Sequence, residues 1–273
     1  MNNYDDFFNQ SALGQWPTLM LNVQEKKVKQ VDTLAITMII VYLAQLRGDI
    51  PFSIEGALDF IESKCYIHEN EGFRVWHFNA FYPPDWEDTA MAVFVLLKNN
   101  RIRLKDLEPL RSLLIQNTSE IGAGVWIKDP YSVKNSVNNH WDPTTALNVL
   151  RLYCLLDVDK SLRFRLEKFV INSLVIENFY KMTLYYTPAL AAFFAKQLIS
   201  DFPELLLNMG GSLFAFYDRV KKEIISGNIK STYFEKALLG INENLPENDP
   251  GLIFHHGKRN NIWYGSPMMY KLV

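Results

Sequence analysis

The sequence predicts an all-α protein whose helices form a single α/α toroid, with one domain covering residues 1–273. Three short polar segments, which begin at Asp32, Asp88 and Thr144, are spaced 56 residues apart (32 to 88 and 88 to 144). An apolar stretch of helical length follows each of them, and apolar and amphipathic segments alternate along the chain. Repeats of this size with helical units indicate an array of helix pairs. The alternation favours an inner ring of apolar helices inside an outer amphipathic ring.

The inner helices are expected to begin near residues 32, 88, 144, 187, 232 and 266. At each position Ser, Thr or Asp precedes an apolar run. These residues cap helices because their side-chain oxygens accept hydrogen bonds from the free amides of the first turn. Residues 91–97 and 189–195 have no polar face, and a helix that is apolar all round is a buried helix.

The outer helices are expected over residues 54–61, 104–114, 162–170 and 214–225, where charged residues accompany a periodic apolar pattern. An open solenoid of helix pairs would show the same alternation and is the second choice of architecture. Closure of the ring depends on the last inner helix, since only eight residues run from Ser266 to Val273.

The composition limits the classes of function. The net charge is −2 and no basic block occurs, so a nucleic-acid partner is not expected. Cys65 and Cys154 lack any disulfide-framework or zinc spacing, and the N-terminus is acidic where a signal peptide is basic. Both observations indicate a cytoplasmic protein. The longest apolar run, residues 34–44, is too short to cross a bilayer, which leaves peripheral membrane contact open. The sequence does not define the oligomeric state.

One repeat carries an acidic run that folding alone does not require. Asp85, Glu87 and Asp88 place three carboxyls within four residues, directly before an apolar helix. The free amides and the dipole of a helix N-terminus stabilise a carboxylate, so capping accounts for one of the three. Neighbouring carboxyls also raise one another's pKa, and a carboxyl that keeps its proton can act as a Brønsted acid. Capping and acid chemistry are both interpretations of this run.

The segment Asp85-Trp86-Glu87-Asp88-Thr89-Ala90 resembles the DxDDTA motif of class II terpene cyclases, the relatives of squalene-hopene cyclase. Residues 120–126 resemble the QxxxGxW motif of that family, with Glu in place of Gln. Residues 141–147 and 264–267 are similar to inner-helix starts of the same superfamily, which includes the protein prenyltransferase β-subunits. The chain has room for one barrel, so it resembles the monodomain enzymes. The resemblance implies acid-initiated cyclisation of a linear prenyl substrate, which is isomerase or lyase chemistry of terpenoid biosynthesis.

The resemblance also implies a catalytic set. Glu87 stands where the family has its catalytic Asp, and Asp88 is a joint candidate for the acid. Asp85 lies three residues before Asp88, so the two can converge on one side of a turn. His140, one repeat further along, is a candidate to hold the proton of the acid through a hydrogen bond, as a His does in some family members. The predicted catalytic residues are Asp85, Glu87, Asp88 and His140.

A carbocation requires a dry pocket with aromatic faces, because π-systems attract cations. Aromatic residues precede the expected inner-helix starts and, with one carboxylate, form the predicted substrate-binding set: Trp76, Phe81, Tyr82, Trp86, Trp126, Trp141 and Asp142. No metal site is expected, since neither cysteine lies near a helix start as a prenyltransferase-like zinc site requires. No cofactor is expected either, apart from Mg²⁺ if the substrate is a diphosphate. The expected partner is a small prenyl molecule.

Two other functions fit the same pattern. A glycan-active α/α-barrel enzyme would use paired carboxylates and needs a second acid across the cavity, for which Asp142 is the candidate. A non-catalytic toroid that binds a lipid or a protein would use the acidic run as helix caps. A deep apolar pocket favours the cyclase, an open polar cleft the glycan enzyme, and a filled core the binding protein.

Overall fold

Helices make up most of the described chain, as the sequence predicts. The structure is a computed structural model that describes residues 11, 14–22, 27–31, 34–48, 52–69, 71–77, 83–127, 140–183, 185–241, 252–256, 262–266, 268–269 and 272. The α-helices in these ranges are α1 Leu34–Arg47, α2 Glu55–Ser63, α3 Trp86–Lys98, α4 Glu108–Asn117, α5 Pro143–Leu155, α6 Lys160–Ser173, α7 Ile176–Met182, α8 Pro188–Asp201, α9 Gly211–Ile225 and α10 Tyr233–Leu238.

Four helices, α1, α3, α5 and α8, are buried on all sides over most of their length. Their continuously buried stretches are residues 34–44, 86–96, 143–153 and 188–195. Each packs against the next one along the chain, α1 against α3, α3 against α5 and α5 against α8. Because a helix buried all round has neighbours on every side, these four helices form the interior of the protein.

The helices between them bury one side only. α2 packs on α1 and α3, α6 packs on α5, and α9 packs on α8. In α9 the buried residues Leu213, Phe216, Val220 and Ile224 recur at three- and four-residue spacing, which is the pattern of an amphipathic helix. Helices α2, α4, α6 and α9 occupy the segments where the sequence predicts outer helices.

Side-chain caps define where the buried helices begin. Asp85 caps α3, Asp142 caps α5 and Thr187 caps α8, each by accepting a hydrogen bond from a first-turn amide. Thr232 opens the short helix α10 with a capping box to Glu235. These helices start within two residues of the expected positions 88, 144, 187 and 232. The one expected at 232 as an inner helix has six residues, of which two are buried, so it is not a helix buried on all sides. The expected start at 32 lies outside the described residues, and α1 is helical from Leu34.

The two ends of the chain meet in an antiparallel sheet with the strand order β2–β1–β6–β5. Its strands are β1 Thr18–Asn22, β2 Lys27–Val31, β5 Leu252–His256 and β6 Ile262–Gly265, and a separate hairpin pairs β3 Tyr66–Ile67 with β4 Arg74–Val75. Strand β1 lies between β2 and β6, with Met20 opposite Tyr264. The terminal segments therefore hold each other by backbone hydrogen bonds.

The inner helix that the sequence predicts from Ser266 falls partly on residues outside the described ranges, so it stays a prediction. Strand β6 occupies the residues up to Gly265, and the Met269 amide donates to the Ser266 carbonyl at 3.1 Å, so Met268–Met269 form a short turn. The residues before Ser266 are Ile, Trp and Tyr, which favour strands. Pairing with β1 determines their conformation, and only residues 268, 269 and 272 are described beyond Ser266.

Candidate active site

Asp85 is the N-cap of α3. Its backbone is extended (φ −127°, ψ 156°), and its Oδ1 accepts a hydrogen bond from the Asp88 amide at 2.7 Å. Its carbonyl accepts the first helical bond, from the Thr89 amide at 3.2 Å. The capping interpretation of the acidic run therefore applies to Asp85, which leaves Glu87 and Asp88 without a capping role.

Glu87 and Asp88 lie in the first turn of α3 and are 9 % and 4 % exposed. The Thr145 hydroxyl of α5 donates to Glu87 Oε2 at 3.1 Å. Glu87 Oε1 and Asp88 Oδ2 are buried and have no hydrogen-bond partner in the described part of the chain. A buried carboxylate oxygen without a partner is costly, so both groups favour the protonated form.

The pKa values of both carboxyls are raised well above their ordinary values. For Glu87 the main cause is burial, followed by the negative charges of Asp88, Asp85 and Asp142, while the hydrogen bond from Thr145 lowers the pKa. For Asp88 the causes are burial, then the charge of Asp85 and a side-chain hydrogen bond with it. Desolvation and like charges both disfavour the ionised carboxyl. The site therefore retains protons that exposed carboxyls would release.

Asp142 brings the start of α5 to the same place. Its Oδ1 accepts the amides of Thr144 at 2.9 Å and Thr145 at 3.1 Å, and the residue is 1 % exposed. Its charge acts on Glu87, and Thr145 joins the two helices through its bond to Glu87. The N-terminal ends of α3 and α5 thus form one acidic cluster, which we define as Asp85, Glu87, Asp88 and Asp142.

Backbone hydrogen bonds hold the loops around this cluster together. The Trp86 amide donates to the Val125 carbonyl at 2.8 Å, and the Val125 amide donates to the His140 carbonyl at 2.8 Å. The Ile127 amide donates to the Pro84 carbonyl at 3.0 Å. The segments before α3, before α5 and around residue 125 are therefore tied into one short ladder. It fixes the position of His140 relative to the start of α3.

Gly122 lies in the loop that carries this ladder and that resembles the QxxxGxW motif. Its φ is +103°, a conformation that side chains disfavour. A Cβ atom there would lie 2.6 Å from Leu166 Cδ1 of α6. The loop can therefore pack closely against α6 only because residue 122 is glycine.

His140 faces aromatic side chains. Its Nε2 lies 3.2 Å from the Tyr185 hydroxyl, and its ring lies edge-on to Trp126 with centroids 6.2 Å apart. Trp141 is half-buried, and its indole nitrogen has no hydrogen-bond partner among the described residues. Tyr185 was not among the residues expected from the sequence, although its position just before the cap of α8 gives it the same placement as the others. The pairing of His140 with an acid stays a prediction.

Of the other predicted substrate-binding residues, two are fully buried and two lie outside the described residues. Trp76 is fully buried, and its indole nitrogen donates to the Ile61 carbonyl of α2 at 2.9 Å, while its own amide donates to the Thr89 hydroxyl at 3.0 Å. Trp86 is fully buried at the first position of α3. Phe81 and Tyr82 lie outside the described residues. The substrate-binding roles of all four stay predictions.

A second buried polar group, which sequence reasoning missed, lies deeper between the same helices. Arg151 of α5 is 1 % exposed. Its guanidinium donates to Asn148 Oδ1 at 3.0 Å, to the Tyr42 hydroxyl at 3.2 Å and to Met91 Sδ at 3.7 Å, and it pairs with Asp201 at 3.2 Å. The Tyr42 hydroxyl donates to Asp201 at 3.2 Å, and burial raises the pKa of Tyr42, which keeps it neutral.

Three aromatic rings complete this group. We call it the arginine cluster and define it as Tyr42, Phe94, Asn148, Arg151, Phe194 and Asp201. The Arg151 guanidinium carbon lies 5.0 Å from the ring centre of Tyr42, 4.8 Å from that of Phe94 and 5.9 Å from that of Phe194. Such distances allow cation–π attraction. The side chain of Arg151 thereby contacts α1, α3 and α8 from its position on α5. The sequence did contain a signal for this group, because Arg151 is the one charged residue of the apolar helix α5. A buried arginine is nearly always paired with an acidic residue.

No protein-family model matches the sequence, and no curated protein matches it significantly. Within the described residues no cluster of three or more His, Cys, Asp or Glu side chains has the geometry of a metal site. No described helix is both long and apolar enough to cross a bilayer. The geometry of the acidic cluster is therefore the basis for the functional interpretation.

Proposed function

We propose that the protein is an α/α toroid and acts as a class II-type terpene cyclase, in which Glu87 is the acid that starts cyclisation of a linear prenyl substrate. The toroid is supported by the order of the buried helices α1, α3, α5 and α8, each of which contacts the next. The outer helices alternate with them along the chain. Pairing of β1 with β6 brings residues 18–22 next to residues 262–265, which is compatible with a closed ring.

The observation that carries the proposed chemistry is the state of the Glu87 carboxyl. It is buried, every charged group that acts on it is another carboxyl, and one of its oxygens has no partner in the described structure. A carboxyl in such surroundings has a raised pKa, so it keeps its proton at pH values where an exposed glutamate is ionised. Asp88 shares these features, but its side chain is hydrogen-bonded to Asp85. We therefore assign the donor to Glu87, with Asp85, Asp88 and Asp142 as groups that keep it protonated.

The reaction begins when the Glu87 proton moves to an alkene carbon. The π electron pair forms the new C–H bond, and a carbocation remains on the substrate. The Thr145 hydroxyl stabilises the carboxylate left behind, because its hydrogen bond favours the charged form. A further alkene of the same chain attacks the cation and closes the ring. The cation then loses a proton to form an alkene, and return of a proton to the Glu87 carboxylate restores the acid. Trp126, Trp141 and Tyr185 supply aromatic faces close to the site for the travelling charge.

A non-catalytic toroid that binds a lipid or a protein is the second candidate. The observation that favours it is the arginine cluster, which fills part of the space between α1, α3, α5 and α8. The glycan-active alternative receives less support, because its second acid would be Asp142, and Oδ1 of Asp142 is occupied by two backbone amides. Under all three hypotheses we expect a cytoplasmic protein without a nucleic-acid partner and without a cofactor, apart from Mg²⁺ if the substrate is a diphosphate.

The test compares Glu87→Gln and Asp88→Asn with the wild type for product formation from linear prenyl substrates and for thermal unfolding. A cyclase loses turnover by about 10²–10⁴-fold when its general acid is replaced, while the fold persists because both amides keep the shape of the carboxyl. The matched control is Glu235→Gln, which alters a buried glutamate in the capping box of α10. It should lower stability without removing turnover. Full activity in both Glu87→Gln and Asp88→Asn would refute the cyclase.

A further inference from the structure

The buried polar groups of α3 and α5 are stacked in levels below Glu87. Glu87 and Met91 lie on the same face of α3, about 6 Å apart along the helix axis. Thr145, which bonds Glu87, is followed one turn later by Asn148 and then by Arg151 on α5. Arg151 reaches Met91 on α3, so the second level spans the gap between the two helices.

At this second level the interior is closed by side chains from all four buried helices. Tyr42 comes from α1, Phe94 from α3, Arg151 from α5 and Asp201 from α8, and their mutual contacts are direct. The Asp201 side chain is 11 % exposed, and Asp201 is the last residue of α8, so the far side of the cluster lies toward the C-terminal end of that helix. A substrate at Glu87 therefore has a layer of polar and aromatic side chains beneath it.

Two donors of this layer have no partner among the described residues. They are Asn148 Nδ2 and Arg151 Nε, and both side chains are 1 % exposed. Buried donors in native proteins are nearly always satisfied, by the protein, by ordered water or by a ligand. Glu87 Oε1 is also unpartnered one level above, so polar atoms that water or a ligand could satisfy belong to both the acid and the layer.

We propose that Asn148 and Arg151 form the floor of the substrate site and that this floor limits the length of the prenyl chain that the site accepts; the inference rests on the proposed cyclase function. The guanidinium is held by Asp201, Tyr42 and three aromatic faces, so it does not move aside for a longer chain. Arg151 is a specificity-determining residue in this account and takes no part in proton transfer.

The experiment measures binding of geraniol, farnesol and geranylgeraniol, three prenyl alcohols of increasing length, to the full chain by isothermal titration calorimetry. The first variant is Arg151→Met with Asp201→Asn, which lowers the floor and removes both charges together. The second is Met91→Ala, which widens the same level without touching a charge. The matched control is Arg163→Met with Glu167→Gln, which removes an arginine–glutamate pair of the outer helix α6.

Wild type and control are expected to gain affinity with chain length up to a limit and to lose it beyond that limit. Both floor variants should move the limit to the next longer alcohol, with a gain in affinity of about tenfold or more as the added carbons are buried. An unchanged limit in either folded floor variant overturns the floor and leaves the cyclase proposal standing. Failure of the wild type to bind any of the three alcohols overturns both.

Discussion

The acidic cluster and the arginine cluster are both polar, both buried and built on the same helices, yet they satisfy their charges differently. Arg151 is paired with Asp201 and hydrogen-bonded to Tyr42 and Asn148. Glu87 has one hydroxyl donor and only like charges around it. In the arginine cluster the positive charge of Arg151 is thus neutralised by Asp201, whereas in the acidic cluster the negative charge is reduced because carboxyls stay protonated.

This difference separates a structural group from a reactive one. A buried ion pair with its hydrogen bonds made fixes the helices that carry it, and breaking it exposes an uncompensated charge. A carboxyl that neighbouring like charges keep protonated has no ion pair that stabilises the fold, but it can donate its proton to a substrate. The two clusters should therefore respond oppositely to mutation, with stability lost at Arg151 and activity lost at Glu87.

The largest effect on stability is expected from Arg151→Ala. It leaves Asp201 without its partner, empties the centre of three aromatic rings and should cost about 3–5 kcal/mol in the free energy of unfolding. Urea denaturation measures this cost. Arg103→Ala is the matched control, because Arg103 pairs with Asp106 on the surface, where solvent screens the charges and the loss of stability should be far smaller. Equally small losses of unfolding free energy in both variants would show that the arginine cluster does not stabilise the fold.

The pH dependence of stability should expose the retained protons. Because the pKa of Glu87 is raised in the folded protein above its ordinary value of 4.5, its contribution is full below that value and is lost as pH rises through the folded pKa. The slope is about 1.4 kcal/mol for each pH unit in this range. Glu87→Gln removes the contribution, so its stability should fall less steeply between acidic and neutral pH than that of the wild type. Parallel curves in urea titrations at several pH values would count against a raised pKa.

The caps of α5 and α6 provide the third test. Asp142→Ala removes a buried cap that accepts two amides and should cost about 2 kcal/mol, the upper end for caps. Asp159→Ala removes an exposed cap of α6 and should cost less. Asp142→Ala also removes a negative charge near Glu87 and should lower the pKa of Glu87. Thermal unfolding and carboxyl titration measure the two effects. A pKa of Glu87 that does not change would place Asp142 outside the acidic cluster.

The smallest effect is expected at the hydroxyl that joins the two helices. Thr145→Val removes the donor to Glu87, should cost about 1 kcal/mol of stability, and should raise the pKa of Glu87 further. Thr144→Val is its control on the adjacent residue, since the Thr144 hydroxyl is buried without a partner in the described chain. That change should be neutral or stabilising. Equal behaviour of the two variants would show that the Thr145 bond has no influence on the acid.

The helix positions were predictable because capping is local. Thr187 and Thr232 lie next to the segments that they cap, as expected. The caps of α3 and α5 are Asp85 and Asp142, three and two residues before the expected Asp88 and Thr144. The terminal sheet was not predictable in this way. Thr18–Asn22 pairs with Ile262–Gly265 from the other end of the chain, and the local pattern around Ser266 also fits a helix start. The strand conformation of residues 262–265 depends on this contact between segments far apart in the sequence, which a local pattern does not show.

The acidic cluster could be predicted as a group, but its internal roles could not. Spacing alone placed Asp85, Glu87 and Asp88 at one helix start, whereas the assignment of Asp85 as the cap depends on its extended backbone. Arg151 was overlooked because an apolar helix with one charge resembles an amphipathic helix with a narrow polar edge. Its partner Asp201 comes from a helix that begins well over 30 residues later in the chain, so no local pattern links them.

The most direct test of this account is the protonation state of Glu87 at neutral pH. Carbon-13 NMR of the side-chain carboxyls in glutamate-labelled protein resolves it, with the Glu87 signal assigned by its loss in Glu87→Gln. The account predicts that this carboxyl remains protonated at neutral pH and that its pKa lies well above the ordinary value of 4.5. A Glu87 that ionises near its ordinary pKa would contradict the account, because the acidic cluster would then hold no proton to donate.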